Sequence, residues 1–267
     1  GAVCSPSRAG LITGQFPARF PGGDRLGTAV RPTDATLAGV LKQAGYRTAH
    51  LGKDHANIRT PGHWDVSYGG SGNGSDPATL LGMAQELTPR VERFIDESVA
   101  AKAPFFIHLC YHEPHLGPRA LPEYVAAFAG AKAPRMAPDL LQADTEIARI
   151  RAMLSKRGLT QNTLIILTGD NGSSSSSGAR DLRGAKEDIY DGGIRVPFIA
   201  CWPGTLPAGT VTDVPLHHAD IMPTVRALCG AAAVTRPQDG VDWSAQFRGA
   251  PFPAERGKPM LFWAQEG

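Results

Sequence analysis

Hydrophobic positions along this chain alternate between helix-like periodic stretches and short continuous apolar runs. Helical spacing marks positions 37–41, 91–99 and 140–154, and apolar runs follow each stretch at 46–51, 104–111 and 163–168. Thr88-Pro89 predicts the start of the second helix, because proline suits a first helical turn. Continuous apolar strands are typical of parallel sheets buried on both faces. The repetition therefore predicts an α/β fold, a mostly parallel sheet with helices on both faces.

A further helix is predicted at the start of the chain, over Cys4-Ser5-Pro6-Ser7-Arg8 and the residues that follow. Pro6 suits its first turn, and Ser5 or Ser7 is expected to cap its free backbone donors. A helix N-terminus favours an anion, and the guanidinium of Arg8 can pair with an oxyanion through two bonds. Two interpretations of Cys4 stay open here: a packed small side chain beside a capped helix, or a nucleophile in an anion site.

Val196 to Trp202 is predicted to be a further strand, and the three strands before it each end at a cluster of ionisable or metal-binding residues. These clusters are Lys53 and His55, His112 and His115, and Asp170 and Asn171. In an open parallel sheet, ligands bind beyond the carboxyl ends of the strands. We therefore expect the three clusters to meet at one edge of the sheet and to form a catalytic site.

Asp170 and Asn171 offer two oxygen ligands to a hard cation such as Ca²⁺ or Mg²⁺, and the alternative is an Asx turn before Gly172. Since Ca²⁺ takes roughly six to eight oxygen ligands, further carboxylates must come from elsewhere. Lys53 can hold an anionic group, and His55 can bond the nucleophile or transfer a proton. The alternative for this pair is a solvated loop.

Pro114 lies between His112 and His115 and argues against a helical metal-binding pair. We expect one of these histidines, His115 rather than His112, to be the general acid for a leaving group. Lys186 lies in a glycine-flanked loop and can extend toward an anion. Structural roles are expected for three other histidines: His108, His217 and His218.

Composition and net charge exclude some classes of function. The chain has 267 residues, 42% of them hydrophobic, and a net charge of +2, so no nucleic-acid partner is indicated. No apolar run is long enough to span a membrane, and no signal peptide is visible. Apart from Cys4, the cysteines lie in apolar runs (Cys110, Cys201) or at a helix end (Cys229), and are predicted to be packed thiols. None of their spacings is typical of a zinc site.

Several segments together resemble the sulfatases of the alkaline-phosphatase superfamily, of the arylsulfatase and N-acetylgalactosamine-6-sulfatase type. CSPSRAGLITG resembles the signature that directs conversion of its cysteine to formylglycine. GYRTAHLGKDH resembles the second signature, which usually has tryptophan where this chain has Asp54. The segment that carries the leaving-group histidine in the family resembles PFFIHLCYHEPHLGP. The metal-binding segment resembles NTLIILTGDNG, and the lysine segment resembles LRGAKEDIYDGGIRVPFIACWPG. A later helix and loop of the family resemble HHADIMPTVRALCG and DGVDW. They occur in the family's order and cover nearly the whole chain.

The resemblance implies hydrolysis of sulfate esters, on a sulfated sugar or an aryl sulfate. It implies that a maturation enzyme converts Cys4 to formylglycine, whose hydrate is both nucleophile and metal ligand. Arg8 and Lys53 would stabilise that hydrate, and His55 would assist its regeneration.

The resemblance also implies how substrate and metal are bound. Lys53, His115 and Lys186 would bind the sulfate group, and His115 and Lys186 would help the alcohol to leave. Asp170 and Asn171 would bind Ca²⁺, with Mg²⁺ as the alternative ion. The resemblance implies a periplasmic, secreted or lysosomal location, whereas it is the composition that indicates neither a nucleic-acid partner nor membrane association.

The chain also departs from the family pattern. In the family, a strand before the cysteine motif ends in paired aspartates that complete the metal site, whereas this chain opens with Gly1-Ala2-Val3-Cys4. The family also continues into a small C-terminal subdomain. We therefore expect residues 1–267 to form a single sulfatase catalytic domain that lacks the first strand and the C-terminal subdomain. Two alternatives are a phosphonate or phosphate monoester hydrolase that uses the same formylglycine, and a catalytically silent sulfatase-like fragment.

Overall fold

A computed structural model of the chain describes residues 2–20, 28–69, 83–115, 120–132, 135–174 and 181–260. The chain divides into two compact units. The first unit contains Gly1–Ala44, Ala56–His63 and Leu159–Gly267, and the second contains Gly45–His55 and Trp64–Gly158. A single catalytic domain over residues 1–267 stays a prediction.

Helices and strands are interspersed along the chain. In order they are α1 (Cys4–Thr13), α2 (Leu37–Gln43), β1 (Arg47–Gly52), β2 (Val66–Tyr68), α3 (Met83–Ala100), β3 (Phe105–Cys110), α4 (Pro122–Ala126), α5 (Ala137–Lys156), β4 (Ile165–Thr168), α6 (Asp191–Ile194), β5 (Phe198–Cys201), α7 (Ile221–Leu228) and α8 (Ser244–Phe247). Short 3₁₀ turns occur at Pro17–Arg19, Thr160–Asn162 and His218–Asp220.

The second unit is built on a parallel sheet with the strand order β2-β1-β3. Helix α3 packs against β1 and β3, and α5 packs against α3. The apolar stripe of α3 explains this packing, because Val91, Phe94 and Ile95 recur at helical spacing and all three are buried. The α/β class with a parallel sheet and helices is confirmed. The start of α3 differs from the prediction, since Pro89 lies inside the helix.

The first unit contains the β4–β5 pair, which is antiparallel, with Ile165 opposite Cys201. The expectation that β4 joins the same parallel sheet as β1 and β3 is therefore wrong for the described strands. The expectation that β4 is buried on both faces is also wrong, because Leu167 in β4 is 41% exposed and Ile199 in β5 is 56% exposed. Apolar runs predict strands, but they carry no information on strand direction.

The core of the first unit beside β4 and β5 is centred on three buried side chains, Val214, Trp243 and Phe247. Partly buried residues of both strands, including Ile166 and Phe198, pack against this cluster. The inner faces of β4 and β5 are therefore fixed by α8 and by the segment before α7.

Candidate active site

The predicted nucleophile is the first residue of α1. Cys4 is buried, with 1% of its surface exposed. The N-cap of the helix is Val3, which is extended (φ −139°, ψ 164°) and gives no side-chain cap. Ser5 and Ser7 lie inside the helix, where the Ser7 hydroxyl donates to the Val3 carbonyl at 3.0 Å. The prediction that a serine caps the helix is therefore wrong, since the helix starts at the cysteine.

Arg8 and Asp170 form an ion pair in the first unit. The Arg8 Nε and Nη2 atoms donate to Oδ2 of Asp170 at 3.1 and 2.9 Å. The arginine side chain is 10% exposed and the aspartate side chain is 29% exposed. Arg8 lies four residues after Cys4, so both side chains project from the same side of α1. The pair thus connects the helix of the predicted nucleophile to a predicted metal ligand.

Asn171 follows Asp170 and has a buried amide. Its Nδ2 atom donates to the Gly172 carbonyl at 2.9 Å. Its Oδ1 atom is buried and accepts no hydrogen bond from any of the described residues. A buried amide oxygen without a donor is costly unless another partner satisfies it. An amide oxygen beside a carboxylate is a donor set that suits Ca²⁺, so these two residues fit the predicted cation.

Lys186 lies in a loop that backbone hydrogen bonds fix within the first unit. Its own N–H donates to the Ser173 carbonyl at 2.7 Å, and the Glu187 N–H donates to the Ala2 carbonyl at 3.0 Å. The loop is thus held both to the residue two positions before Cys4 and to the segment after Asn171.

Gly172 has no room for a side chain. A Cβ atom added there would lie 1.8 Å from the Gly192 carbonyl oxygen. The Gly172 N–H also donates to the Gly193 carbonyl at 2.8 Å. The glycines of the two segments therefore allow the backbone contact that places Asn171 beside the lysine loop.

His218 supports the end of β4. Its Nε2 atom lies 2.8 Å from the carbonyl oxygen of Gly169, the residue before Asp170. Burial lowers the pKa of His218 to about 4, so the neutral ring carries a proton on Nε2 and donates it to that carbonyl. The sequence indicated a structural residue at this position but not its contact. The only signal was the His-x-Asp spacing at the start of a helix.

Asp220 holds the 3₁₀ turn that presents His218. Its carboxylate accepts hydrogen bonds from the backbone N–H groups of His217 and Val241 and from the indole of Trp243. Arg256 also donates to it through two nitrogens. Burial alone would raise the pKa of Asp220, but these hydrogen bonds, above all those from Arg256, hold it below its usual value.

Two of the predicted clusters follow adjacent strands of the second unit. In the parallel register of β1 and β3, Gly52 lies opposite Cys110. Lys53 and His55 therefore leave the sheet at the same edge as His112 and His115. The expectation of a shared edge is confirmed for these two clusters, but Asp170 and Asn171 follow a strand of a different sheet.

The polypeptide is tightly packed where Lys53 leaves β1. Gly52 has a φ of +103°, and a Cβ atom there would lie 2.0 Å from the Cys110 carbonyl oxygen. The Lys53 N–H donates to the same carbonyl at 2.8 Å, and only 2% of the residue is exposed. His112 is likewise 2% exposed, and its carbonyl accepts from the His115 N–H at 2.9 Å. These contacts fix the backbone on which both polar clusters are carried.

The sequence model of the Sulfatase family matches residues 1–231. The match covers the cysteine helix, both strand-end clusters of the second unit, and Asp170, Asn171 and Lys186. This chain belongs to the sulfatase family. The family assignment, within the alkaline-phosphatase superfamily, confirms the resemblance found in the sequence.

Known sulfatases align along almost the whole of this chain. Human arylsulfatase A is 28% identical over 301 residues, covering 91% of this chain and 58% of the relative. N-acetylgalactosamine-6-sulfatase of Canis lupus familiaris is 26% identical over 297 residues, covering 90% of this chain and 56% of the relative. The crystal structure of Ps i-CgsB superposes with a TM-score of 0.84 at 26% identity, covering 92% of this chain and 66% of that one. This sulfatase chain therefore spans more than half, but less than two thirds, of each protein.

No helix among the described residues is both long enough and apolar enough to cross a bilayer.

Proposed function

We propose that the protein containing this chain hydrolyses sulfate esters, using formylglycine formed from Cys4 and a bound Ca²⁺ ion, with Mg²⁺ as the alternative ion. The observation that carries the proposal is the buried N-terminal end of α1, where Arg8 is paired with the predicted metal ligand Asp170. Membership of the sulfatase family supports the same reaction.

Asp170 and Asn171 are proposed to hold the cation through a carboxylate and an amide oxygen. A divalent cation bound there would lower the pKa of a neighbouring hydroxyl group and offset negative charge on the substrate. Arg8 fixes the orientation of Asp170 through two donors, so it contributes to metal binding as well as to charge at the nucleophile. Lys186 is proposed to bind a sulfate oxygen.

Cys4 lies at a helix N-terminus, where the backbone dipole favours a developing anion. Formylglycine supplies a geminal diol, which neither a serine nor a thiol provides. This chemical difference makes the modification state of Cys4 the first quantity to measure.

In the second unit, Lys53 and His115 are proposed to bind the sulfate group. His115 would protonate the oxygen of the leaving alcohol, and His55 would accept a proton when the nucleophile is regenerated. The support is their position after adjacent parallel strands, together with the family resemblance.

The proposed substrate is a sulfated sugar, with an aryl sulfate as the simplest analogue. Ps i-CgsB, which shares this fold at 26% identity, has been crystallised in complex with k-i-k-neocarrahexaose, and this supports the carbohydrate proposal. A formylglycine-generating enzyme is the proposed maturation partner. The proposed site of action is periplasmic, secreted or lysosomal.

The decisive experiment combines mass spectrometry with activity. The protein is produced with a formylglycine-generating enzyme, and the mass of the tryptic peptide that contains Cys4 is measured. We expect the aldehyde or its hydrate, and turnover of an aryl sulfate that Cys4→Ala abolishes and the control Cys201→Ala retains. An unmodified thiol in protein made with that enzyme would refute the mechanism. Faster turnover of an aryl phosphate or phosphonate would favour the alternative hydrolase.

Metal binding is tested at Asn171. After chelation, activity should return with added Ca²⁺, and Asn171→Ala should require a higher concentration because it removes a neutral oxygen ligand. Asn162→Ala is the matched control, since Asn162 is exposed at the end of a 3₁₀ turn. Equal Ca²⁺ dependence in both variants would contradict the proposed ligand.

A further inference from the structure

Three side chains with metal-binding atoms lie together on one face of the parallel sheet in the second unit. His50 of β1 lies directly opposite His108 of β3, and Cys110 follows His108 by two positions on the same face. The Nδ1 atoms of the two histidines are 3.2 Å apart. The His108 Nε2 atom lies 3.3 Å from the Cys110 sulfur.

We propose that His50, His108 and Cys110 form a zinc-binding site. One ligand atom from each residue can be chosen so that all three lie within 4.8 Å of one another. Two imidazole nitrogens bound to one tetrahedral Zn²⁺ at ~2.0–2.1 Å are roughly 3.3 Å apart, close to the distance between the histidines. The Cys110 sulfur contacts the other ring nitrogen of His108, so the cysteine side chain must rotate toward the nitrogen pair to complete a two-histidine, one-cysteine set.

The chemistry of the donors selects the ion. Imidazole and thiolate ligands favour Zn²⁺ over Ca²⁺ and Mg²⁺, which prefer oxygen. Binding requires neutral imidazoles and a thiolate, so Cys110 releases its proton to solvent as the metal–sulfur bond forms. No oxidant or reductant is needed, and the fourth position is left for a water molecule.

The surroundings hold the ligands in place. His50 is fully buried, and Cys110 is 7% exposed. The Trp64 ring stacks on His108 with centroids 6.2 Å apart, and it is tilted against His50 at 5.5 Å. An aromatic cover and a hydrogen-bonded sheet restrict ring rotation, so the site loses little side-chain entropy when it binds metal.

No pattern in the sequence indicated such a site. Cysteine spacing is the usual signal for zinc, and here the ligands come from two strands that are far apart in the chain. His108 alone is typical of a sheet histidine, and Cys110 alone of a packed thiol. The parallel register of β1 and β3 brings them to His50.

The test is titration of the metal-free protein with Co²⁺ and then with Zn²⁺. Co²⁺ should give a near-ultraviolet thiolate-to-cobalt charge-transfer band, at one ion per chain, that Zn²⁺ abolishes by displacement. Cys110→Ser should lose the band, and the matched control Cys201→Ser should keep it. His108→Gln should weaken Zn²⁺ binding at least as much as the ~10–100-fold loss seen for outer-shell changes.

A further control separates this site from the proposed calcium site. Cys4→Ala should keep the charge-transfer band, because the thiolate in question belongs to Cys110. Loss of the band in Cys4→Ala and its retention in Cys110→Ser would overturn the proposal, as would the absence of stoichiometric binding. If the Cys110→Ser variant does not fold, the test is instead carried out by alkylating the thiols of the unaltered protein. Zn²⁺ should then slow labelling of Cys110 but not of Cys201, and equal rates with and without Zn²⁺ would also overturn the proposal.

Discussion

Replacement of Arg256 by methionine should strongly destabilise the first unit. The Arg256 and Asp220 side chains are only 6% and 4% exposed, and the guanidinium donates to both carboxylate oxygens. Removing the guanidinium leaves the buried Asp220 carboxylate with only neutral hydrogen-bond donors. Breaking a buried ion pair in this way lowers the free energy of unfolding by roughly 3–5 kcal/mol. Arg19→Met is the matched control, because Arg19 also pairs with an aspartate through two nitrogens but is 50% exposed. An exposed pair of this kind contributes about 0–1 kcal/mol.

Urea unfolding at neutral pH, followed by tryptophan fluorescence, measures both variants. Trp243 is 3% exposed and donates to Asp220, so its emission reports on the same cluster. We expect a loss of unfolding free energy for Arg256→Met that exceeds the loss for Arg19→Met by at least ~2 kcal/mol, the gap between buried and exposed pairs. The added change Asp220→Asn should recover part of the loss, because it removes the unpaired charge. Equal losses in the two single variants would refute this reasoning.

Other perturbations should act in defined directions. Because burial lowers the pKa of His218 from 6.5 to about 4, the unfolded chain binds a proton first as the pH falls. Stability should therefore decline by about 3 kcal/mol between pH 6.5 and 4, and His218→Gln should flatten that decline in denaturation curves. Gly172→Ala should reduce both thermal stability and Ca²⁺-dependent activity, since its methyl group would overlap the Gly192 carbonyl; an unchanged melting temperature would contradict this. Burial raises the pKa of Glu113, so its stabilising contribution is present at low pH and is lost as the pH rises through that pKa. Glu113→Gln should therefore be more stable than the parent at pH 8, and lower stability there would contradict the assignment.

The sequence predicted features that depend on local pattern. The strands β1 and β3 and the polar clusters at their ends follow from apolar runs that stop at Lys53 and His112. The parallel pairing of these strands was also predictable, because a helix lies between them in the chain. The apolar run of β4 was found for the same reason, but its antiparallel pairing with β5 was not predicted, since hydrophobicity does not encode strand direction.

Contacts between distant segments account for what the sequence did not predict. Arg8 and Asp170 were both singled out, yet nothing in their spacing indicated that they pair with each other. The contact of His218 with the Gly169 carbonyl and the grouping of His50 with His108 likewise depend on packing and register. Helix ends were displaced for a local reason: Ser7 bonds back to Val3 from inside α1, a use of serine that competes with capping.

The loop that carries Lys186 is attached through main-chain atoms, at Ser173 and at Ala2. Main-chain bonds do not depend on side-chain identity, and residues 187–190 are all exposed. Two of the four side chains nevertheless contact the loop itself, because the Asp188 carboxylate accepts from the Ala185 N–H at 2.8 Å and the Tyr190 hydroxyl accepts from Arg183 at 2.7 Å. Substitution of the exposed Ile189 is therefore expected to alter the outer surface of the loop without displacing the lysine backbone.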